Sequence, residues 1–236
     1  MLARTLALLP GQCELCRGWD TGLVCRACVT RHAPTQPRCR RCGLLVGVAA
    51  ALCGACQRDP PPYERTVCAL DYGFPWDRVI TAFKFQRKVE FAAPLAALLG
   101  EAIDREGAAA SRHELLVTAV PLARTRLAER GFNQAWELAR HLARTRGLRA
   151  TPSALQRVLD TSPQAGLTST ERQRNLRNAF APSSDAALLS GAHVALVDDV
   201  MTTGATAREA AAALLRGGAR SVQLWVLART PDPHWA

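Results

Sequence analysis

Apolar residues from position 66 onward fall into two kinds of run. Thr66–Tyr72, Leu115–Val120, Val194–Val197 and Ser221–Leu227 are short, apolar and rich in β-branched residues, as expected of strands buried in a sheet. Between them, Trp76–Phe83, Phe91–Arg105, Phe132–Arg144 and Ala205–Arg216 read as helices. The last is Ala-rich and has Gly217 as its stop. Strands alternating with helices predict an α/β domain with a mainly parallel sheet and flanking helices.

The first 62 residues break this pattern. Eight of the nine cysteines lie there, in four C-x-x-C pairs: Cys13/Cys16, Cys25/Cys28, Cys39/Cys42 and Cys53/Cys56. Each turn aims two thiolates at one point, and two turns complete a tetrahedral Zn²⁺ site. The spacing predicts a double zinc ribbon with one or two structural zincs. It leaves open whether neighbouring pairs share a metal or alternate pairs interleave. Gly43 and Gly54, each directly after a knuckle cysteine, are expected at positive φ. A disulfide framework is the weaker alternative, since no secretory leader is evident and Met1–Pro10 is too short for one. Cys68, alone in an apolar run, reads as a core residue. Gln57–Pro62 reads as a stiff linker, dividing the chain into a zinc module over 1–62 and an α/β domain over 63–236.

Charge changes the picture little. The formal net charge is +10, almost all of it arginine, with Lys84 and Lys88 the only lysines. Eight thiolates and two Zn²⁺ would lower it to about +6. The balance suits phosphate or nucleic-acid partners without being a DNA-binding signature. No apolar run approaches ~20 residues, so no membrane insertion is expected, and the chain reads as cytoplasmic.

The candidate chemistry is concentrated in His193–Thr206. An apolar strand ends in Asp198 and Asp199, a loop of Met201, Thr202, Thr203 and Gly204 follows, and Ala205 and Thr206 open a helix. Free backbone N–H groups at a helix N-terminus favour a phosphate, Gly204 permits close approach, and the threonines add hydroxyl donors. The two carboxylates, placed at the strand's carboxyl end, suit sugar hydroxyls directly or through Mg²⁺. Pro121, Leu122 and Arg124 follow a second strand and suit a diphosphate, with Arg126 and Arg130 just beyond. The polar stretch Arg157–Leu167 reads as a loop that closes over substrate, followed by a helical Glu171–Asn175.

The acidic pair with its Thr/Gly loop resembles the PRPP-binding motif of type I phosphoribosyltransferases. That resemblance implies Asp198 and Asp199 at the ribose 2′- and 3′-hydroxyls and Met201–Thr206 around the 5′-phosphate. Over most of its length the chain resembles the ComF family. The matching features are the four C-x-x-C pairs, Tyr72–Pro75, Lys84–Phe85, Val120–Leu122, Arg130–Gln134, Arg157/Thr161/Gln164, Gly166–Leu167, Arg172, Asn175, Ala179–Phe180 and Val197–Thr206. The family's first proline before Val-Pro-Leu is Ala119 here. The resemblance implies a phosphoribosyltransferase-like fold, PRPP with Mg²⁺, a PRPP set that includes Arg157 and Arg172, and a link to single-stranded DNA and competence proteins. Three readings stand. One is ribose-phosphate transfer to an unidentified acceptor, another a non-catalytic PRPP sensor or scaffold, and the third a zinc-ribbon DNA binder with a vestigial sugar site.

Overall fold

The computed structural model describes residues 11–48, 50–108, 115–159, 178–182 and 186–232. In chain order the elements are β1 (Gly11–Gln12), β2 (Trp19–Asp20), α1 (Arg26–His32), α2 (Gly54–Arg58), β3 (Arg65–Asp71), α3 (Trp76–Phe85) and α4 (Ala92–Arg105). Then follow β4 (Leu115–Ala119), α5 (Arg124–Arg130), α6 (Gln134–Arg146), β5 (Arg149–Ala150), β6 (Leu155–Arg157), β7 (Phe180–Pro182), β8 (His193–Met201), α7 (Ala205–Arg216) and β9 (Ser221–Arg229).

The central sheet is parallel throughout, in the order β3-β9-β8-β4-β5. Successive residues of each strand enter opposite layers. Ala195 and Val197 pack with α3, α4 and α6, whereas Val194 and Leu196 pack with α7 and the antiparallel β6–β7 pair. Both faces are covered, so the strands read as unbroken apolar runs. α6, which packs back after β4, and α7, which follows β8, lie on opposite faces, which opens a crevice between the carboxyl ends of these two neighbouring strands.

Several boundaries differ from the expectation. β8 continues through Asp198 and Asp199 to Met201, because β9 pairs with it that far, in the register Asp198↔Val226 and Met201↔Arg229. The acidic pair, expected at the strand's end, is therefore followed by two further strand residues, Val200 and Met201. α3 runs past Phe83 and carries Lys84 and Phe85 on its last turn. α6 begins only at Gln134, since Gly131 is left-handed at φ 82° and Asn133 is extended. Gln57 and Arg58 belong to α2 instead of a linker. Gly54 opens that helix and has no positive φ, whereas Gly43 is at φ 71°. In the first knuckle Arg17 takes the left-handed position, at φ 62°.

The two cysteine modules contact different parts of the α/β domain. The first lies beside α3 and α4, where Trp76 Nε1 donates to the His32 carbonyl at 2.6 Å and Leu23, Val24 and Val29 reach the core. The second lies on β3, where the Thr66 amide donates to Arg40 O at 2.9 Å and Arg38 pairs with Asp71 at 2.8 Å.

Candidate functional site

A cavity of about 400 Å³ occupies the crevice above β4 and β8. Asp198 and Asp199 rise into it from β8, Pro121 and Leu122 from the turn after β4, and Arg126 and Arg130 from α5. Thr202, Thr206, Arg157 and Lys84 add to the polar lining, and Thr125 and Glu129 of α5 complete it. A smaller adjoining cavity of about 30 Å³ is lined by Asp198 and by every residue from Val200 to Ala207. The structure thus brings the acidic pair, the Thr/Gly loop and the Pro121–Leu122 turn together. Arg124 does not line the cavity, because it forms the first turn of α5 and Arg126 and Arg130 occupy the rim. Arg172, Thr161, Gln164, Gly166, Leu167 and Asn175 lie outside the described residues.

Local sequence explains the loop's shape. Gly204 caps α7 at φ 81°, a conformation that costs other residues about 1 kcal/mol or more. The Ala205 amide is reached by Thr203 Oγ1 at 3.4 Å. No acidic residue stands in the first turn of this twelve-residue helix, so its positive end meets the small cavity with no carboxylate of the helix itself in the way.

The carboxylates are not equivalent. Lys84 Nζ lies 3.1 Å from Asp199 Oδ2, and both side chains are largely buried. Burial, reinforced by the neighbouring Asp199 charge and opposed by Lys84, pushes Asp198 up to about 8. Lys84 thus pairs directly with one of the two carboxylates, Asp199, while Asp198 is the more deeply buried of the pair. Lys84 is therefore a site residue that sequence reading met only within the family-matching Lys84–Phe85 pair, without assigning it a role.

Beyond Arg130, which lines the cavity, the Arg130–Gln134 segment braces the site. Asn133 caps α6 by accepting from the Ala135 amide at 3.0 Å, and donates through Nδ2 to Val120 O at 3.0 Å. Gln134 is fully buried and donates to Lys84 O at 3.4 Å. Arg130 stacks over the exposed ring of Phe85 at 4.6 Å, and desolvation lowers its pKa. These contacts fix the Pro121 turn and α3's end relative to each other.

The cysteines form two clusters, Cys13/Cys16/Cys25/Cys28 and Cys39/Cys42/Cys53/Cys56, each with its ligand atoms within 4.8 Å of one another. Neighbouring pairs therefore share a site. Cys16–Cys25 and Cys42–Cys53 sulfurs are 3.8 and 3.6 Å apart. A tetrahedron with Zn–S bonds of about 2.3 Å requires roughly 3.8 Å between sulfurs, so the donor set fits one Zn²⁺ per cluster. Backbone amides of Cys25 and Cys53 donate to Cys13 and Cys39 Sγ at 3.3 Å, as thiolates require. Cys68 is buried apart from both clusters.

Comparison with known proteins gives the lineage. The chain is 37% identical over 230 residues to DNA utilization protein YhgH of Salmonella typhi, covering 94% of this chain and 98% of that one. It is 34% identical over 226 residues to Competence protein F of Haemophilus influenzae, covering 92% and 96%. The chain belongs to the ComF family. The phosphoribosyl transferase domain model matches residues 127–234. In this ComF family member the match spans α6, β8 and its loop, α7 and β9, the part of the fold that holds the acidic pair. No described helix is long and apolar enough to cross a membrane.

Proposed function

We propose that the crevice binds PRPP and that the protein transfers its ribose 5-phosphate to an acceptor nucleophile. The observation carrying this is that Asp198, Asp199 and the Thr202–Thr206 loop share one cavity with the Pro121–Leu122 turn. In this reading the α7 N-terminus holds the 5′-phosphate, and Asp198 and Asp199 accept from the ribose hydroxyls. The diphosphate lies between the Pro121 turn, Arg126 and Arg130. Mg²⁺, when bound with PRPP, neutralises diphosphate charge and so assists its departure.

Transfer breaks the C1–O bond to diphosphate and forms a bond from C1 to the acceptor, which gives up a proton. The ribose gains oxocarbenium character between these events. The chain's residues act by holding both phosphate ends in place, which keeps C1 aligned for attack. The relatives' names, DNA utilization protein and Competence protein F, together with the Arg126–Arg130–Phe85 rim, support single-stranded DNA and competence proteins as partners. Cysteines gathered as two four-thiolate metal sites instead of disulfides support a reducing, cytoplasmic setting.

The non-catalytic alternative, a PRPP-gated scaffold, draws support from the Lys84–Asp199 pair, since a cation already seated at the acidic pair suits ligand sensing. Phosphorus NMR of PRPP and Mg²⁺ with the zinc-loaded protein and a panel of bases, ammonia and single-stranded DNA separates the readings. Free diphosphate that depends on one acceptor establishes transfer. PRPP lines that broaden without converting establish the scaffold. Unperturbed lines overturn both.

A further inference from the structure

Arg229 ends β9 and is only 4% exposed. Its Nε donates to the carbonyl of Cys42, a member of the second cluster, at 3.0 Å. Its Nη1 donates to the carbonyls of Met201 at 3.0 Å and Thr230 at 2.8 Å, and also to that of Thr202. One guanidinium therefore joins a cysteine knuckle to the two residues that begin the phosphate loop. A trans peptide sets its N–H opposite its carbonyl. Turning the Met201 and Thr202 oxygens toward Arg229 thus turns the Thr202 and Thr203 N–H groups away from it, leaving them to the loop's open side.

Two further contacts run the same way. A Cβ placed on Gly43, which directly follows Cys42, would lie 3.9 Å from Met201 Cε, so the knuckle packs against the loop's first residue. At the loop's other end, Arg208 in the first turn of α7 pairs with Asp59 at 3.1 Å, just beyond α2 of the second module. Among the described residues the first cluster has none of these neighbours. Its module meets α3, α4 and Lys88, the last through Glu14 at 3.3 Å.

We propose that Arg229 is a positioning residue for the phosphate loop, and that metal held by Cys39, Cys42, Cys53 and Cys56 sets the loop's geometry through it. The Cys13/Cys16/Cys25/Cys28 cluster has no such role. Emptying the second cluster releases the tether on Cys42, so Nε loses its acceptor and the buried guanidinium repacks together with the carbonyls of Met201 and Thr202. The inference rests on PRPP occupying this crevice for its effect on affinity, but not for its effect on the loop itself.

The test uses the full-length, zinc-loaded protein with Arg229→Lys, Cys39→Ser/Cys42→Ser and Cys13→Ser/Cys16→Ser. Zinc content, hydrogen exchange of the 201–207 segment and calorimetric PRPP·Mg²⁺ binding are measured for each. Arg229→Lys keeps the charge but lacks the fork that reaches both Cys42 and Met201. It is expected to retain the zinc of both clusters, to exchange faster over 201–207, and to bind PRPP about tenfold more weakly. The Cys39/Cys42 variant is expected to match it, and the Cys13/Cys16 variant to stay within about twofold of wild type. If the cysteine variants fail to fold, Arg229→Lys with intact circular dichroism decides alone. Unchanged exchange and affinity in Arg229→Lys, or equal losses from both cysteine variants, overturns the proposal. Wild type that fails to bind PRPP while Arg229→Lys still exchanges faster overturns only the functional reading.

Discussion

Lys84 Nζ and Asp199 Oδ2 stand 3.1 Å apart across the crevice, joining the last turn of α3 to the end of β8. The pair sets a lysine beside two adjacent carboxylates where the sugar of a phosphorylated ligand would lie. It places one cation at the acidic pair before any metal or ligand arrives.

Removing that cation leaves a largely buried carboxylate without its partner. Lys84→Met is expected to lower the unfolding free energy by on the order of 2 kcal/mol, below the fully buried case because both groups touch the crevice. It should also raise the Mg²⁺ concentration at which PRPP binds. Urea unfolding and a Mg²⁺ titration check the two effects, and Lys84→Arg should restore much of the stability.

Asp198 gives a pH dependence with a definite sign. Its folded pKa, pushed up to about 8 mainly by burial, exceeds the ordinary value of 3.8. The folded state therefore binds the extra proton between those values, and this group's contribution to stability falls as pH rises from about 4 to about 8. Asp198→Asn is expected to raise the melting temperature of the ligand-free protein at pH 8, flatten that decline and abolish stabilisation by PRPP. Thermal unfolding of both proteins from pH 5 to 9 measures it. A more stable variant that has lost ligand binding is the expected signature of a strained site.

Gly204 separates backbone strain from crowding. A Cβ there would meet Tyr63 Oη at 3.6 Å and Met201 Sδ at 3.7 Å, which is ordinary contact. Gly204→Ala should therefore cost only the left-handed backbone conformation, about 1–2 kcal/mol. The expected result is a folded protein with a lowered melting temperature and weaker PRPP binding.

Zinc affinity should fall steeply with acidification. In the metal-free clusters burial raises Cys13 and Cys39, but backbone N–H bonds outweigh it and bring them down to about 6 and about 7. Burial and neighbouring cysteines push Cys28 and Cys42 up to about 12. Zinc must displace protons from the raised thiols, so binding releases acid and tightens with pH. Proton release on adding Zn²⁺ to the chelator-treated protein, followed with an indicator dye, tests this.

Much of the architecture was legible in the chain itself. Buried parallel strands and Ala-rich helices leave unambiguous apolar runs, so Leu115–Val120 and Ala205–Arg216 could be placed closely. C-x-x-C spacing is a local property, because one turn suffices to aim two thiolates, and it identified all eight cluster cysteines. The Asp198–Thr206 segment was legible for the same reason, since strand, loop and helix N-terminus are contiguous.

Relationships between distant segments were decided only by the tertiary structure. Sharing of metals by neighbouring C-x-x-C pairs depends on how each module closes, which spacing leaves open. The length of β8 was set by β9, which pairs with it through Met201 and so draws the two aspartates into the ladder. Lys84 reaches Asp199 from a helix more than a hundred residues earlier, and Arg229 reaches Cys42 from 187 residues later. The Lys84–Phe85 match names no partner for the lysine, and a strand-terminal arginine carries no motif. Each gains its role from the partner that folding brings within hydrogen-bond range, and that proximity is a property of the packed sheet and not of any one segment of the chain.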